Sequence, residues 1–198
     1  MLTNTFERLC ELALRMRLPQ DAEVHLFGRN NLSGEGTFPG KLVEKIRKLC
    51  HLLGAELIVT ESDFKERDTG DNGLDIVGWL KSGDEIGSKL TFFGQCACTH
   101  EWVTKQHSSG DDAWSSVARF ISRPANMCYI PFDFRSPDRS WFWPRKIHRT
   151  HLIDRFRILF DLGLQSRSVS PELEDALNDI IPRERILECR AGLSAADL

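Results

Sequence analysis

No apolar run in the chain approaches the roughly 20 residues that a membrane-spanning helix needs, so no contact with a membrane is expected. The opening stretch, MLTNTFERLCELALRMRL, carries acids and lacks the basic start and apolar core of a secretion signal. It reads as a helix over residues 2–17, with Phe6, Leu9, Ala13 and Met16 recurring as a packed face. Close cysteine pairs are scarce: of six cysteines, only Cys96 and Cys98 are near each other. A structural zinc site wants a second close pair, so the thiols read as reduced, buried residues of a cytoplasmic protein, Cys96 and Cys98 included. The Gly/Asn-rich stretch from Gly28 to Gly40 is followed by no Lys-Ser or Lys-Thr pair, which excludes a phosphate-binding P-loop. There is no internal repeat, and no helix-turn-helix or zinc finger stands apart to supply sequence specificity. Net charge is also small, at −3.

That small net charge is unevenly spread. Residues 171–198 hold seven of the 29 acids and three of the 26 lysines and arginines, leaving 22 acids against 23 bases in residues 1–170. The body is near neutral, and the acidic end reads as a helical extension opened by Pro171, with Leu173, Leu177 and Ile180 recurring. Arg139, Arg145, Lys146, Arg149, Arg155 and Arg157 crowd together around Trp141 and Trp143. Arginine and lysine beside aromatic rings can hold phosphates and stack bases, although solvated charge beside core tryptophans gives the same pattern.

The 198 residues suffice for one domain with a sizeable core over 1–170. Short strands are expected at 21–27, 56–60, 74–80, 89–98 and 127–132. Helices are expected at 41–53, 113–121 and 148–162, the last with Leu152, Phe156, Leu159 and Phe160 inward. Gly54 is a natural stop for the 41–53 helix, and 81–88 reads as a hairpin-type connection. The order predicts an α/β fold, a mixed central β-sheet flanked by helices.

Asp75 is the residue that most needs explaining. It lies in Leu74-Asp75-Ile76-Val77-Gly78-Trp79, where a carboxylate among apolar neighbours is costly unless solvated, paired or bound to a cation. If 74–80 and 89–98 pair through the 81–88 loop, Asp75 lies next to Gln95. Alternation puts Asp75 on the face of Val77, where Glu44 approaches from the covering helix. Two carboxylates and an amide oxygen form a hard, oxygen-rich set suited to Mg2+ or Mn2+. Other readings stay open: Asp75 capping its turn, Glu44 pairing with Lys48 on a solvated face, Gln95 satisfying backbone.

Glu44 in a helix, Gly73-Leu74-Asp75-Ile76-Val77, and Gly94-Gln95-Cys96-Ala97 closing a strand resemble the restriction-endonuclease-like, or PD-(D/E)XK, nuclease superfamily over roughly residues 38–135. The stretch also resembles bacterial members associated with anti-phage defence. The resemblance implies a restriction-endonuclease-like core. An acid of the first core helix, an aspartate of the second core strand, and an acid or glutamine of the third would carry the divalent ion. Glu44, Asp75 and Gln95 match those positions. It further implies DNA, or else RNA, as substrate, and a homodimer or a partner subunit of a defence complex. The sequence departs from the pattern where a lysine would stand two residues past the strand acid: here it is Ala97. Lys105 is one local substitute and Lys48 another, whereas Lys45 would point elsewhere; His100 and Glu101 can also enter from the strand end. The implied catalytic set is therefore Glu44, Asp75, Gln95 and Lys105. The candidate substrate contacts are Trp141, Trp143, Arg145, Lys146 and Arg149. A catalytically inactive member, binding nucleic acid or serving as a structural subunit, is the competing reading.

Overall fold

A computed structural model describes residues 2–27, 36–64, 70–84, 86–99, 101–164, 171 and 175–177. The chain begins with α1 (Leu2–Arg17), then β1 (Glu23–Leu26) and α2 (Leu42–Leu53). A short β2 (Glu56–Leu57) precedes the two middle strands, β3 (Ile76–Trp79) and β4 (Thr91–Cys96). Two one-turn helices follow, α3 (Trp102–Lys105) and α4 (Asp111–Trp114), and then β5 (Ala118–Arg119). The remaining elements are β6 (Ala125–Tyr129), β7 (His151–Ile153) and α5 (Arg155–Asp161).

Five strands form a mixed sheet in the order β1-β3-β4-β6-β7. β1, β3 and β4 run antiparallel to one another, and β6 and β7 join parallel to β4. Parallel pairing of β4 with β6 requires a crossover, and residues 97–124, with α3 and α4, provide it. The α/β class and the pairing of the Asp75 and Gln95 strands thus match expectation. The 56–60 stretch does not join this sheet; β2 pairs with β5 in a separate two-stranded ribbon. Residues 118–119 are therefore extended, where a helix over 113–121 was expected.

Each face of the sheet has its own core. On one lie α1 and α5, packing Cys10, Ala13, Leu14, Ile158 and Leu162 against Val24, Ile76, Cys96, Met127 and Tyr129. Gly78 lets α1 approach, since a Cβ there would sit 3.2 Å from the Leu14 side chain. Arg17 ties α1 to α5 by donating to Asp161 (2.8 and 3.0 Å). On the other face α2 lays Leu42, Ile46, Leu49 and Leu53 over Phe27, Val77, Trp79 and Phe93, with Trp114 closing one side. Gly54 ends α2 in the left-handed conformation (φ 62°), as its position foretold. The expected face of α1 is shifted: Met16 is exposed, and Glu7 and Cys10 are buried instead.

The segment 148–162 is strand and then helix. Asp154 marks the change, because its buried carboxylate accepts the Arg157 N–H (3.1 Å) and starts α5 there. Arg135 grips the same carboxylate with two N–H groups (2.8 and 3.1 Å). Phe156 and Phe160 consequently face outward, and Ile158 and Leu162 take the inner positions. Of the acidic extension, Leu177 is described and buried; the recurrence of Leu173 and Ile180, and Cys189, lie outside the described residues. Among the described residues no helix is long and apolar enough to cross a membrane.

Candidate active site

Asp75 stands just before β3, at the end of the sheet where β4 finishes. Ile76 is paired with Gly94, and the Asp75 N–H donates to the same Gly94 carbonyl (2.9 Å). Two residues of one strand thus oppose one of the other, the arrangement of a β-bulge, which re-aims side chains. The Asp75 carbonyl still accepts from Phe27 N–H (2.7 Å), so the segment remains tied on both sides. Its carboxylate does not stand with Val77 toward α2. Oδ2 accepts the Cys96 N–H (2.7 Å) and the Gln95 Nε2–H (2.6 Å). The charge reaches the thiols of Cys10 and Cys96, which belong to the core beneath α1.

This turn of Asp75 decides which helix carboxylate it meets. Glu44 is exposed in the first turn of α2, where its Oε2 accepts the Lys41 N–H (3.0 Å) and caps its own helix. Glu7 of α1 is 5 % exposed, and its charge acts on Asp75. The lysines rearrange likewise. Lys48 is exposed and borders a cavity with His25. Lys45 is buried, with Nζ directed at the carbonyls of Phe27 (3.4 Å) and Gly70 (3.5 Å). Sequence spacing could have singled out Glu7, one turn before Cys10 on what becomes the buried face of α1. Phe6 and Leu9 carry the more obvious apolar signal and mask it.

The electrostatics follow from burial. The Asp75 carboxyl is pushed up to about 7, chiefly by desolvation, although the Cys96 N–H opposes this. The neighbouring charges of Glu7 and Asp71 push it further up, and Lys105 pulls it down. Lys105 is therefore the substitute lysine that lies within electrostatic reach. The position after Gln95 in the pattern, Ala97, is fully buried with Trp102, Cys128, Ile130 and Leu152. Trp102 of α3 belongs to the same buried cluster as Ala97, and the same helix carries Lys105. The turn at Gly73 (φ 72°) packs on Ser108, 2.5 Å from where a Cβ would be, and this holds the end of α3 beside Asp75. Cys98 is exposed, not buried as expected. His100 lies outside the described residues, and Glu101 is exposed at the start of α3.

The resemblance implies a divalent ion, and the residues can be tested for fit. Among the described residues no three His, Cys, Asp or Glu side chains gather into a cation-binding group. The Asp75 carboxyl is nevertheless pushed up by burial and by the charges of Glu7 and Asp71, which a cation or a proton relieves. Mg2+ needs only one or two carboxylates and keeps several waters. The Gln95 amide now turns its nitrogen to Asp75; rotation of that amide presents the oxygen instead. The residues that would hold such an ion are Glu7, Asp75 and the rotated Gln95 amide, while the Glu44 carboxylate is engaged with the Lys41 N–H.

The aromatic loop divides into a packed part and an open part. Trp141 lies between two guanidinium groups, Arg157 at 4.7 Å and Arg135 at 5.3 Å from its ring centre, and serves packing. Trp143 is 51 % exposed, with the Lys146 ammonium 4.7 Å over its ring, and Phe142 beside it is 66 % exposed. Arg145, Lys146 and Arg149 are exposed, and Arg149 approaches Asp112 (3.5 Å). Buried Gln106 fastens this loop to α3, donating to the Lys146 carbonyl (2.9 Å) and accepting the His148 N–H (2.9 Å). The basic loop is thus anchored to the residue following Lys105. No protein-family model, no curated protein and no solved structure matches the chain.

Proposed function

We propose that this chain is a divalent-metal-dependent nuclease with a restriction-endonuclease-like core, hydrolysing DNA phosphodiester bonds in bacterial anti-phage defence. The reading is carried by one observation: Asp75, leading the second strand of the sheet, meets Gln95 of the third at 2.6 Å, and an acid of the first helix acts on it. Asp75 and Gln95 keep the strand positions the resemblance implies; Glu7, in α1 ahead of the 38–135 stretch, takes the part first given to Glu44.

Glu7, Asp75 and the Gln95 amide oxygen would hold Mg2+ or Mn2+. When bound, such an ion polarises the phosphodiester and acidifies a coordinated water. Lys105 supplies positive charge beside Asp75, where negative charge builds up during phosphoryl transfer. Arg145, Lys146 and Arg149 hold backbone phosphates, and Trp143 offers its exposed ring to a base. Burial among Trp102 and Ile130 keeps position 97 out of the chemistry.

The second reading, a catalytically inactive nuclease-like subunit that binds nucleic acid, is favoured by Ala97 and by the two hydrogen bonds already held by Asp75 Oδ2. End-labelled single- and double-stranded DNA, with RNA as a further substrate, separates the two. The nuclease reading requires cleavage that depends on Mg2+ or Mn2+ and is lost in Asp75→Asn. Binding without cleavage, unchanged by chelator and by Asp75→Asn, supports the inactive subunit.

A further inference from the structure

A second polar site lies at the other end of β1 and β3 from Asp75. There Glu23 pairs with Trp79, and a cavity of about 480 Å3 opens beside them. That volume suits a small ligand. Its wall is built around His25. The Glu23 carboxylate is kept ionised by Lys81, which lies 2.8 Å away, and faces His25 Nε2 at 3.2 Å. Nε2 therefore carries the imidazole proton, and Nδ1 accepts from the Thr37 hydroxyl (2.8 Å). The ring rests on Trp79, 5.2 Å between centres. Burial, chiefly, holds the His25 pKa below its usual value, and the charges of Arg15 and Lys48 add to this against Glu23.

Three ammonium groups border the cavity, from Lys48, Lys81 and Lys89. Lys81 is occupied by Glu23, and Lys89 donates to the Leu52 carbonyl (2.9 Å). Lys48 has no carboxylate partner among the described residues. Against these stand Glu23 and Asp84, the latter accepting the Ile86 N–H (3.1 Å). With His25 neutral, the lysines lining the cavity outnumber its carboxylates by one among the described residues. Lysine ammonium groups bind phosphate as point charges, and the double charge of a phosphomonoester draws on more than one of them.

We infer that this cavity binds a phosphomonoester group, carried by a small molecule or by the end of an oligonucleotide, with Lys48 and Lys89 as its cations. The site is independent of the chemistry at Asp75. Isothermal titration of the full chain with inorganic phosphate, AMP and a 5′-phosphorylated trinucleotide tests it. Phosphate and AMP should bind, and Lys48→Glu should weaken both at least about tenfold, as charge reversal beside an anion in a partly solvated cleft requires. Lys48→Met should weaken them less. Arg155→Glu, exposed at the start of α5 on the opposite face of the sheet, should change phosphate and AMP binding less than about twofold. Tighter Lys48-dependent binding of AMP than of the trinucleotide identifies a free small molecule as the source; the reverse identifies a nucleic-acid end. No binding of phosphate or AMP at about 10 mM would overturn the inference. So would equal losses from Lys48→Glu and Arg155→Glu in variants whose thermal melting matches that of the parent chain.

Discussion

The Asp75 carboxylate takes the place of a strand residue beside Cys96: its Oδ2 accepts the Cys96 N–H at 2.7 Å where the ladder of β3 and β4 has been displaced by the bulge. The same oxygen holds the Gln95 amide. Replacing Asp75 by alanine leaves a buried N–H unpaired, at about 1–3 kcal/mol. Asp75→Asn keeps an acceptor and should cost less. Urea unfolding at pH 5, where the wild-type carboxyl is mostly protonated, should rank the stabilities as wild type, then Asp75→Asn, then Asp75→Ala.

Raising the Asp75 pKa links its proton to stability. The folded chain holds this proton more tightly than the unfolded chain, with a pKa of about 7 against 3.8. The contribution is therefore complete below about pH 4 and is lost as pH rises through 7, up to about 4 kcal/mol in all. Between pH 4 and 7 the unfolding free energy of wild type should fall relative to that of Asp75→Asn. Parallel curves would show that Asp75 does not titrate there. Mg2+ at pH 8 should raise the melting temperature of wild type and leave Asp75→Asn unmoved.

Glu7 and Glu44 separate cleanly by substitution. Glu7→Gln removes a charge that acts on Asp75, so it should lower the Asp75 pKa and weaken Mn2+ binding. Glu44→Gln disturbs only the capping box of α2, at about 1 kcal/mol or less, and should bind Mn2+ as wild type does. Calorimetric titration with Mn2+ and chemical denaturation read the two effects separately.

The two tryptophans of the loop should also part. Trp143→Ala is expected to weaken binding of single-stranded DNA by about 1–3 kcal/mol with little change in stability. Trp141→Ala removes a partly buried ring in contact with Arg135 and Arg157 and should destabilise the fold by about 1–3 kcal/mol. Fluorescence anisotropy and thermal melting check each arm.

Much of this arrangement is legible in the sequence. The alternating strands at 74–80 and 89–98 and the 81–88 connection foretold that Asp75 and Gln95 would be neighbours. Gly54 gave the end of α2. The partner helix was not legible, because strict alternation places Asp75 with Val77 and so toward α2. A bulge of one residue reverses such an argument, and nothing in Leu74-Asp75-Ile76 announces one. The 148–162 stretch misled because Leu152, Phe156 and Phe160 fit helical spacing; the pairing of Cys128 with Leu152 in the sheet outweighs it. Asp154 was the available signal, as a capping residue placed ahead of Arg155. The short β2–β5 ribbon joins residues about 60 apart in the chain, a tertiary choice that local pattern does not encode.

The most direct test of the nuclease account is cleavage of end-labelled DNA by purified wild-type chain and Asp75→Asn at pH 8 with Mn2+. The account predicts shortened products from wild type, their loss with chelator, and none from Asp75→Asn. Equal cleavage by both proteins, or intact DNA with both while Mn2+ fails to bind wild type, would contradict it.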